Sequence, residues 1–394
     1  MDKELEYLLN KSKAMSVSMP TIFDLASGSD ASELKKLLAE GKILTVVDDF
    51  NQQQEELFAI NNPTEVYKPG FKEEFENYYK KFNNVNELGK WIYYPWLATL
   101  VHLLNDEDFQ RVRTARNRNL ISEEEQKKFY NSVVGIGGLS VGNSVILAIV
   151  LQGGAKHLRL ADFDSLALTN LNRIRGGVDS LGIKKVEMTA RQIYALNPYA
   201  KVEVYPDGLN KDNIEKFFMG PPKLDLVIDE LDNIAVKYLI REQAKKHLVP
   251  VVMGADNGDN AVVDIERYDK DSNTLFFHGR LGETSFEKLA NLDKFGIGRT
   301  ITQHIGPENI TAKMQNSLLE MGKTIVSWPQ LGGAALLNGS AVAYCVRRIL
   351  NNQPLESNRA LISLDEKLDP LYNLPESQSE RKRITDDFKK MMGL

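Results

Sequence analysis

The chain has 394 residues, 42% of them hydrophobic and 26% charged, which is typical of a globular protein of two or three domains and excludes global disorder and collagen-like or low-complexity polymers. Its 49 basic and 54 acidic side chains give a net charge of −5, so bulk binding to nucleic acid or to a membrane surface is not expected, because both are anionic. One cysteine, Cys345, excludes an intramolecular disulfide and a Cys-rich zinc site and favours a cytoplasmic location.

Residues 1–110 are predicted to form an accessory domain that is either α/β or mainly helical. A capped amphipathic helix is indicated at Ser32–Leu38, a short strand at Ile43–Val47 and a helix at Asn51–Asn61. The aromatic run Trp91–Trp96 is expected to pack in a core or an interface. This region contains no chemical motif, so substrate recognition or dimer contacts are the hypotheses for it.

The second predicted domain comprises residues 111–350 and begins with a polar bridge, residues 111–130. Short apolar strands alternate there with helical patterns, which predicts an α/β, Rossmann-like, mostly parallel sheet with helices on both faces. The predicted strands are Val133–Gly135, Leu158–Ala161, Val202–Tyr205, Leu224–Ile228 and Val249–Met253. The predicted helices between them are Val141–Gln152, Lys184–Leu196, Lys211–Phe218 and Ala235–Lys246.

The pattern is weaker after residue 260. Ala261–Tyr268 and Thr274–His278 are close enough in sequence to form an antiparallel hairpin, and residues 280–325 indicate a long irregular excursion. Leu331–Leu350 is predicted to be an apolar helix. Residues 351–394 are polar and poorly patterned, and are predicted to be a C-terminal tail.

A glycine-rich turn follows the first strand of this block. Gly135, Gly137 and Gly138 stand directly before a predicted helix, with Ser140 where the usual pattern has a third glycine. Glycines at this position let backbone N–H groups approach a phosphate at the helix N-terminus. The same turn is also compatible with simple packing.

An acidic residue ends the next strand. Asp162, 24 residues after Gly138, opens the sequence Asp162-Phe163-Asp164. A carboxylate at that position can accept both hydroxyls of a ribose, so the two features together predict a Rossmann-type nucleotide site. They do not separate NAD from ATP.

Charged residues further along favour a triphosphate. A triphosphate needs fixed cations during transfer, and Arg173 and Lys185 follow the acidic residue closely enough to fold back over it. Their alternative is a solvated surface pair. The run Asp229–Asn233 ends another strand, where a carboxylate such as Asp232 could hold Mg²⁺ or could instead cap the next helix.

Taken in order, these motifs resemble the ThiF/MoeB/HesA superfamily, whose fold is shared by the enzymes that activate ubiquitin-like proteins. The resemblance covers roughly residues 111–350, including Trp328–Gly333 before an Ala-rich helix. The matching motifs are Gly-x-Gly-Gly, Asp-Phe-Asp, Asn-Leu-Asn-Arg, Gly-x-x-Lys, Asn-Pro and Asp-x-x-Asp-Asn.

The resemblance implies ATP and Mg²⁺ as cofactors and the adenylation of a carboxylate, on a peptide, a small ubiquitin-like protein or another molecule. The implied nucleotide contacts are Gly135, Gly137 and Gly138 for the phosphate turn, Asp162 for the ribose, and Asn170, Arg173 and Lys185 for the phosphates. The implied metal residue is Asp232, and Ser140, Asp164, Asp229 and Asn233 lie in the same motifs and complete the predicted set.

The resemblance further implies a homodimer in which an arginine before the first strand reaches the partner's nucleotide. Arg116 and Arg118 are the candidates, although both could equally contact solvent or the acidic run 122–125. Family members that form a thioester need a cysteine beyond the Asp-Asn motif, and residues 234–344 contain none. Cys345 lies in an apolar helix and is expected to be inert, so adenylation without a covalent enzyme intermediate is predicted.

Two other functions remain open from the sequence. The glycine turn and Asp162 also suit an NAD(P)-dependent oxidoreductase, although no acid or base for a hydride site can be identified. A non-catalytic nucleotide-binding scaffold is the third hypothesis, because Ser140 replaces a glycine and the cysteine is missing.

Overall fold

The computed structural model describes Glu6 and residues 19–394. By its internal contacts the chain divides into two compact units. The first comprises the described residues up to Gln126 together with Ala190–Tyr199, and the second comprises Lys127–Thr189 and Ala200–Leu394.

The first unit contains a four-stranded sheet in the order β1-β3-β4-β2, in which only β2 and β4 run parallel. Its elements are β1 (Thr21–Phe23), α1 (Gly28–Ala39), β2 (Thr45–Asp48), α2 (Phe50–Asn61), α3 (Phe71–Tyr79), β3 (Lys90–Tyr94), β4 (Thr99–Leu103), α4 (Asp106–Arg113) and α5 (Glu123–Tyr130), the last of which crosses into the second unit. Trp91 and Tyr93 are buried with Phe23, Leu34 and Leu100. The unit is therefore α/β rather than mainly helical, and the predicted packing role of the aromatic run is confirmed for β3.

The second unit is built on a seven-stranded sheet in the order β11-β10-β9-β8-β5-β6-β7. Its strands are β5 (Val133–Gly137), β6 (His157–Ala161), β7 (Lys201–Tyr205), β8 (Leu226–Asp229), β9 (Val251–Asn257), β10 (Asn260–Glu266) and β11 (Asn358–Ile362). The five strands from β9 to β7 are parallel, and β10 pairs antiparallel with both β9 and β11. The predicted mostly parallel sheet is confirmed.

Helices cover both faces of this sheet, as predicted. The helices that follow β5 along the chain are α6 (Val141–Leu151), α7 (Lys185–Leu196), α8 (Ile214–Met219), α9 (Ile234–His247), α10 (Phe286–Ala290), α11 (Lys294–Ile305), α12 (Ala312–Leu319), α13 (Gly332–Leu350), α14 (Leu364–Leu368) and α15 (Pro375–Met392). The end of α7 belongs to the first unit. On one face Val133, Val227 and Val251 pack against α8 and α9. Side chains alternate along a strand, so Gly254, which meets Asn338 of α13, faces the other way.

The predicted hairpin of 261–268 with 274–278 is wrong. β10 takes its partners from β9 and β11, and Phe276–Gly279 is a 3-10 helix. Phe277 and His278 have φ values of 54° and 52°, a left-handed conformation that is incompatible with a strand. The misleading signal was the apolar content of this segment, which serves burial of Phe277 instead.

The last part of the chain is more ordered than its pattern predicts. The 280–325 region contains α10, α11 and α12, and residues 351–394 contribute β11 to the sheet as well as α15. β11 is an edge strand whose residues are exposed or half-buried, so it lacks the apolar run typical of central parallel strands. Among the described residues, none of the helices combines the length and hydrophobicity that crossing a membrane would require.

A network of buried charges holds β8, α9 and β10 together. Asp229 Oδ2 accepts a hydrogen bond of 2.6 Å from Arg241 Nη1, and Asp229 Oδ1 accepts one of 3.1 Å from Lys237 Nζ. Arg241 Nε lies 2.7 Å from Glu266 Oε2, an ionic contact without the alignment of a hydrogen bond. Asp229, Arg241 and Glu266 are at most 1% exposed, so each charge depends on its partners.

We expect Arg241→Met to lower the free energy of unfolding by roughly 3–5 kcal/mol, because it leaves the Asp229 and Glu266 carboxyls buried without the guanidinium. Urea denaturation monitored by circular dichroism measures the change. Lys211→Met is the control, since its ion pair with Glu287 is exposed and should contribute about 1 kcal/mol or less. Equal effects of the two substitutions would contradict the role given to the buried network.

Candidate nucleotide site

The candidate site lies where the order of the strands reverses. The chain runs from β5 outward through β6 to β7, then returns to place β8 on the other side of β5. In open α/β sheets a crevice forms at this point, outside the carboxyl ends of the two strands. The turn after β5 and the segment Glu230–Asn233 after β8 both lie at that end of the sheet.

Gly138 makes the turn after β5 possible. Its φ is +87°, and a Cβ atom there would lie 2.3 Å from the carbonyl oxygen of Glu230. The turn is held on both sides, because Gly138 N donates to Ala161 O at 2.8 Å and Glu230 N donates to Gly137 O at 2.8 Å. Only glycine can occupy this position without displacing the backbone that follows β8.

The other members of the glycine motif differ in what they do. Gly137 lies against Leu231, whereas Gly135 lies inside β5, where a Cβ would be 2.7 Å from Leu224 and 2.8 Å from Phe217. Gly135 therefore makes room for core packing rather than forming the phosphate turn, which corrects its predicted place. Ser140 precedes α6, and its Oγ accepts a 3.0 Å hydrogen bond from Arg173 Nε.

Asp162 is fixed by the backbone of the glycine turn. Its Oδ2 accepts a 2.7 Å hydrogen bond from Leu139 N, and its Oδ1 accepts a 2.8 Å bond from Asp164 N. Burial raises the pKa of this carboxyl, although Lys185 and the two backbone donors oppose the shift. Its position beside the turn is the one that a ribose-binding acid occupies in a Rossmann-type site.

Lys185, the first residue of α7, lies on the same side of the turn as Asp162. Its Nζ is 2.8 Å from Asp164 Oδ2 and 3.9 Å from Asp162 Oδ2. The Lys185 side chain is only 6% exposed, and that of Asp164 is 51% exposed. Lys185 is therefore buried beside the predicted ribose acid, and Asp164 contacts Lys185.

Arg173 reaches Ser140, the residue that precedes α6. Besides its bond to Ser140, Nη1 donates to Thr169 O at 3.2 Å and to Asn172 Oδ1 at 2.9 Å. Partial burial lowers the pKa of the guanidinium, and the nearby carboxyls of Asp232 and Asp256 oppose the shift. An arginine remains charged despite such a shift, so Arg173 presents a fixed positive charge at the crevice.

Two other predicted residues, Asn233 and Asp229, have structural roles. Asn233 Oδ1 accepts hydrogen bonds from Ala235 N and Val236 N and so caps α9, a role that the sequence analysis had offered to Asp232. Burial opposes ionisation of Asp229, but Lys237 and Arg241 outweigh it and hold its pKa below the usual value. Asp229 is fully buried in that network and is not available to a nucleotide, which corrects its predicted role.

Asn170 stabilises the loop that carries Arg173. Its Oδ1 accepts a 3.0 Å hydrogen bond from Ala167 N, and its backbone carbonyl accepts 3.1 Å and 2.9 Å bonds from Arg173 N and Ile174 N. The side-chain oxygen is thus engaged within the loop, and a phosphate contact by the Asn170 amide group stays a prediction.

Asp232 is the residue best suited to help hold Mg²⁺. It is exposed, and among the described residues it forms no hydrogen bond or ion pair, although its charge acts on Arg173. No group of three or more acidic, His or Cys side chains in the described part of the chain could hold a metal. Mg²⁺ bound to nucleotides commonly uses one or two carboxylates together with phosphate oxygens and water, so this residue set fits the ion only in combination with phosphate.

The two arginines predicted to act across a dimer belong to the first unit. Arg116 lies in a 3-10 helix at Ala115–Asn117, and Arg118 forms a bridge with Ile121. Both side chains are exposed. Their predicted contact with a nucleotide stays a prediction.

One acidic residue at the carboxyl end of β9, Asp256, was not predicted from the sequence. Asp256 is 6% exposed and accepts 3.3 Å hydrogen bonds from Asn338 Nδ2 and Gln330 Nε2. Burial raises its pKa to about 6, while the two amides and Arg173 oppose the shift. The available signal was an acid ending a parallel strand, as with Asp162.

The stretch before α13 packs against the loop of Arg173. Asn172 Nδ2 donates to Gln330 O at 2.7 Å, and a Cβ on Gly332 would lie 2.4 Å from Asn172 O. This close approach explains the glycine and connects the Arg173 loop with the start of α13. Cys345, further along α13, is buried, and burial raises its pKa to about 11, which agrees with its predicted inertness.

Comparison with known proteins identifies one family. Residues 114–273 match the model of the ThiF family. An uncharacterized protein of Mycobacterium tuberculosis (strain CDC 1551 / Oshkosh) is 36% identical over 291 residues, which are 74% of this chain and 40% of the relative. The molybdopterin-synthase adenylyltransferase of Haemophilus influenzae is 26% identical over 44% of this chain and 71% of the relative.

A solved structure of E. coli MccB with ATP is 16% identical, covers 67% of this chain and 77% of that chain, and has a TM-score of 0.45. The chain spans 40% of the length of the mycobacterial relative.

Gly138→Ala is expected to destabilise the protein more than Gly182→Ala, its matched control. Both glycines have positive φ, +87° and +83°, but nothing lies within 4 Å of a Cβ at Gly182. The control therefore measures the left-handed backbone alone, roughly 1–2 kcal/mol, and the clash with Glu230 should add roughly 1–3 kcal/mol. Urea unfolding curves measure both, and equal losses would contradict the close contact.

Asp256→Asn is expected to change how stability depends on pH. The pKa of Asp256 is about 6 in the folded protein and 3.8 for an ordinary aspartate, so between these values the folded state holds a proton that the unfolded state has lost. Wild-type stability should then fall by up to roughly 3 kcal/mol, relative to the variant, as pH rises from 4 to 7. Urea unfolding at pH 4, 5, 6 and 7 measures this difference, and parallel profiles would refute the raised pKa.

Proposed function

We propose that the protein is an ATP-dependent adenylyltransferase that activates a carboxylate, because residues 114–273 match the model of the ThiF family. The relative from Haemophilus influenzae carries the name of an adenylyltransferase, which supports the reaction class. The geometry of the crevice supports it independently.

One observation carries the proposal: two cations, Arg173 and Lys185, lie near one glycine turn. Arg173 Nε bonds to Ser140 Oγ at the start of α6. Lys185 Nζ lies 3.9 Å from Asp162 Oδ2, which itself accepts from Leu139 N of the turn. A diphosphate is satisfied mostly by backbone N–H groups, whereas a triphosphate in transfer needs such fixed positive charge. This arrangement favours ATP over NAD(P).

The proposed reaction is an in-line attack by a substrate carboxylate on the α-phosphate of ATP, which yields an acyl adenylate and pyrophosphate. The carboxylate is already a nucleophile, so no protein group has to transfer a proton. Catalysis then rests on positioning and on charge stabilisation. Asp162 would bind the ribose, while Arg173 and Lys185 would bind the phosphates and oppose the growing charge.

Mg²⁺ is the proposed second cofactor. Asp232, together with phosphate oxygens of the nucleotide, would hold it, and the ion would supply further positive charge to the phosphates.

The acyl adenylate would pass directly to an acceptor rather than to an enzyme thiol. Residues 234–344 contain no cysteine, and Cys345 is buried with a raised pKa. The activated carboxylate could belong to a peptide, a small ubiquitin-like protein or another molecule. A homodimer with Arg116 or Arg118 donated in trans, and a cytoplasmic location, are further parts of the proposal.

The test is a screen for carboxylate-dependent ATP–pyrophosphate exchange, with amino acids, peptides and small proteins ending in Gly-Gly as candidates. For the substrate that supports exchange, Arg173→Ala should lower the rate by roughly 10²–10³-fold, because a preorganised charge at the phosphates is lost. Arg175→Ala is the matched control, since Arg175 is an exposed arginine in the same loop, and it should retain most of the activity.

Exchange at the wild-type rate in Arg173→Ala would refute the role of this residue. Tight NADH binding without ATP binding in calorimetry would refute the adenylation proposal and favour an oxidoreductase. Tight ATP binding without exchange for any carboxylate would favour a non-catalytic scaffold.

A further inference from the structure

Lys185 is shared by two carboxylates that differ in freedom. Asp164 is the nearer partner, at 2.8 Å, and Asp162 is the more distant, at 3.9 Å. With two acids beside one ammonium group, the positive charge of Lys185 is already paired with carboxylates. A polyphosphate that approaches Lys185 therefore has to compete with a carboxylate that is already in place.

Asp162 cannot be displaced from its position beside Lys185. Both of its oxygens accept backbone hydrogen bonds, from Leu139 N and Asp164 N, and its side chain is 8% exposed. Rotating it away would break two bonds and leave buried donors unsatisfied. Asp162 therefore holds the Lys185 side chain in place whether or not a nucleotide is bound.

Asp164 can leave. Its side chain is 51% exposed, its only hydrogen bond through a carboxylate oxygen within the described residues is the one from Lys185, and water can solvate the carboxylate once it turns outward. An ion pair with an exposed partner contributes little to stability. Breaking the Lys185–Asp164 contact should therefore cost little free energy. Separating Lys185 from Asp162 should cost much more.

We propose that Lys185 exchanges partners when a nucleotide binds: the phosphate chain displaces the Asp164 carboxylate, while Asp162 stays and holds the ammonium group in place. Asp164 is then a positioning residue that keeps Lys185 at the crevice in the empty site and competes with any anion that approaches the ammonium group. This inference rests on the proposed binding of ATP and adds a displaceable competitor to that site.

The experiment is a double-mutant cycle of Asp164→Asn and Lys185→Met, with affinities for ATP, inorganic pyrophosphate and adenosine measured by calorimetry. In the Asp164→Asn variant the dissociation constants of ATP and pyrophosphate should fall about three- to tenfold, and that of adenosine, which has no phosphate, should not change. In the Lys185→Met background the same substitution should change the ATP affinity less than about twofold.

Two controls keep the cycle interpretable. Asp179→Asn removes an exposed acid from the same connection between β6 and α7 and reports any general effect of charge. Circular dichroism and thermal unfolding show whether Lys185→Met folds, and Lys185→Gln replaces it if the loss of the buried ammonium prevents folding.

A gain of affinity that persists when Lys185 is removed would overturn partner exchange, because it would reflect simple repulsion by Asp164. Weaker or unchanged ATP and pyrophosphate binding in Asp164→Asn would overturn it as well, and so would a wild type and variant that both fail to bind either phosphate compound. A cycle with the expected coupling but no carboxylate-dependent pyrophosphate exchange would support partner exchange and refute the proposed adenylation.

Discussion

The contact between the turn at Gly138 and the backbone that follows β8 is the constraint on which the candidate site depends. Hydrogen bonds from Gly138 N to Ala161 O and from Glu230 N to Gly137 O join the turn to both neighbouring strands. A side chain at Gly138 would occupy the space of the Glu230 carbonyl. The turn at the reversal of strand order is thus fixed by backbone contacts. Asp162 and Arg173 form hydrogen bonds with Leu139 and Ser140, the two residues that follow it.

Charge in the second unit is arranged in two different environments. Deep in the unit, ion pairs connect the side chains of Asp229, Lys237, Arg241 and Glu266. These pairs fix β8 to α9 and β10, and their charges are not available to a ligand. At the crevice the cations Arg173 and Lys185 each have one partner that is exposed to solvent, Asn172 and Asp164. Buried partners are hard to exchange and exposed ones are easy to exchange, and this difference separates structural charges from those able to meet a phosphate.

Acidic residues at strand ends illustrate the same distinction. Asp162, Asp229 and Asp256 each stand at or next to the carboxyl end of a parallel strand, yet their pKa values move in different directions because their neighbours differ. Burial raises the pKa of Asp162 and Asp256, whereas two cations lower that of Asp229. Position in the sheet brings a carboxylate to the crevice edge, and the pairing of side chains decides whether it stays available.

The sequence by itself determined the parallel sheet, the order of helices around it, the glycine turn and the positions of Asp162, Arg173 and Lys185, because these depend on local periodicity and on motifs of short span. It did not determine that Asn233 rather than Asp232 caps α9, that Gly135 serves packing, or that residues 358–362 add an edge strand.

Only the tertiary structure decided that Asp229 is neutralised by Lys237 and Arg241, although those two residues lie four apart on one helix face. It alone joined Asp256 to Gln330 and Asn338, more than 70 residues away. Hydrogen bonds and ion pairs between distant segments follow from how the elements pack, and local sequence patterns carry no information about which partners will meet.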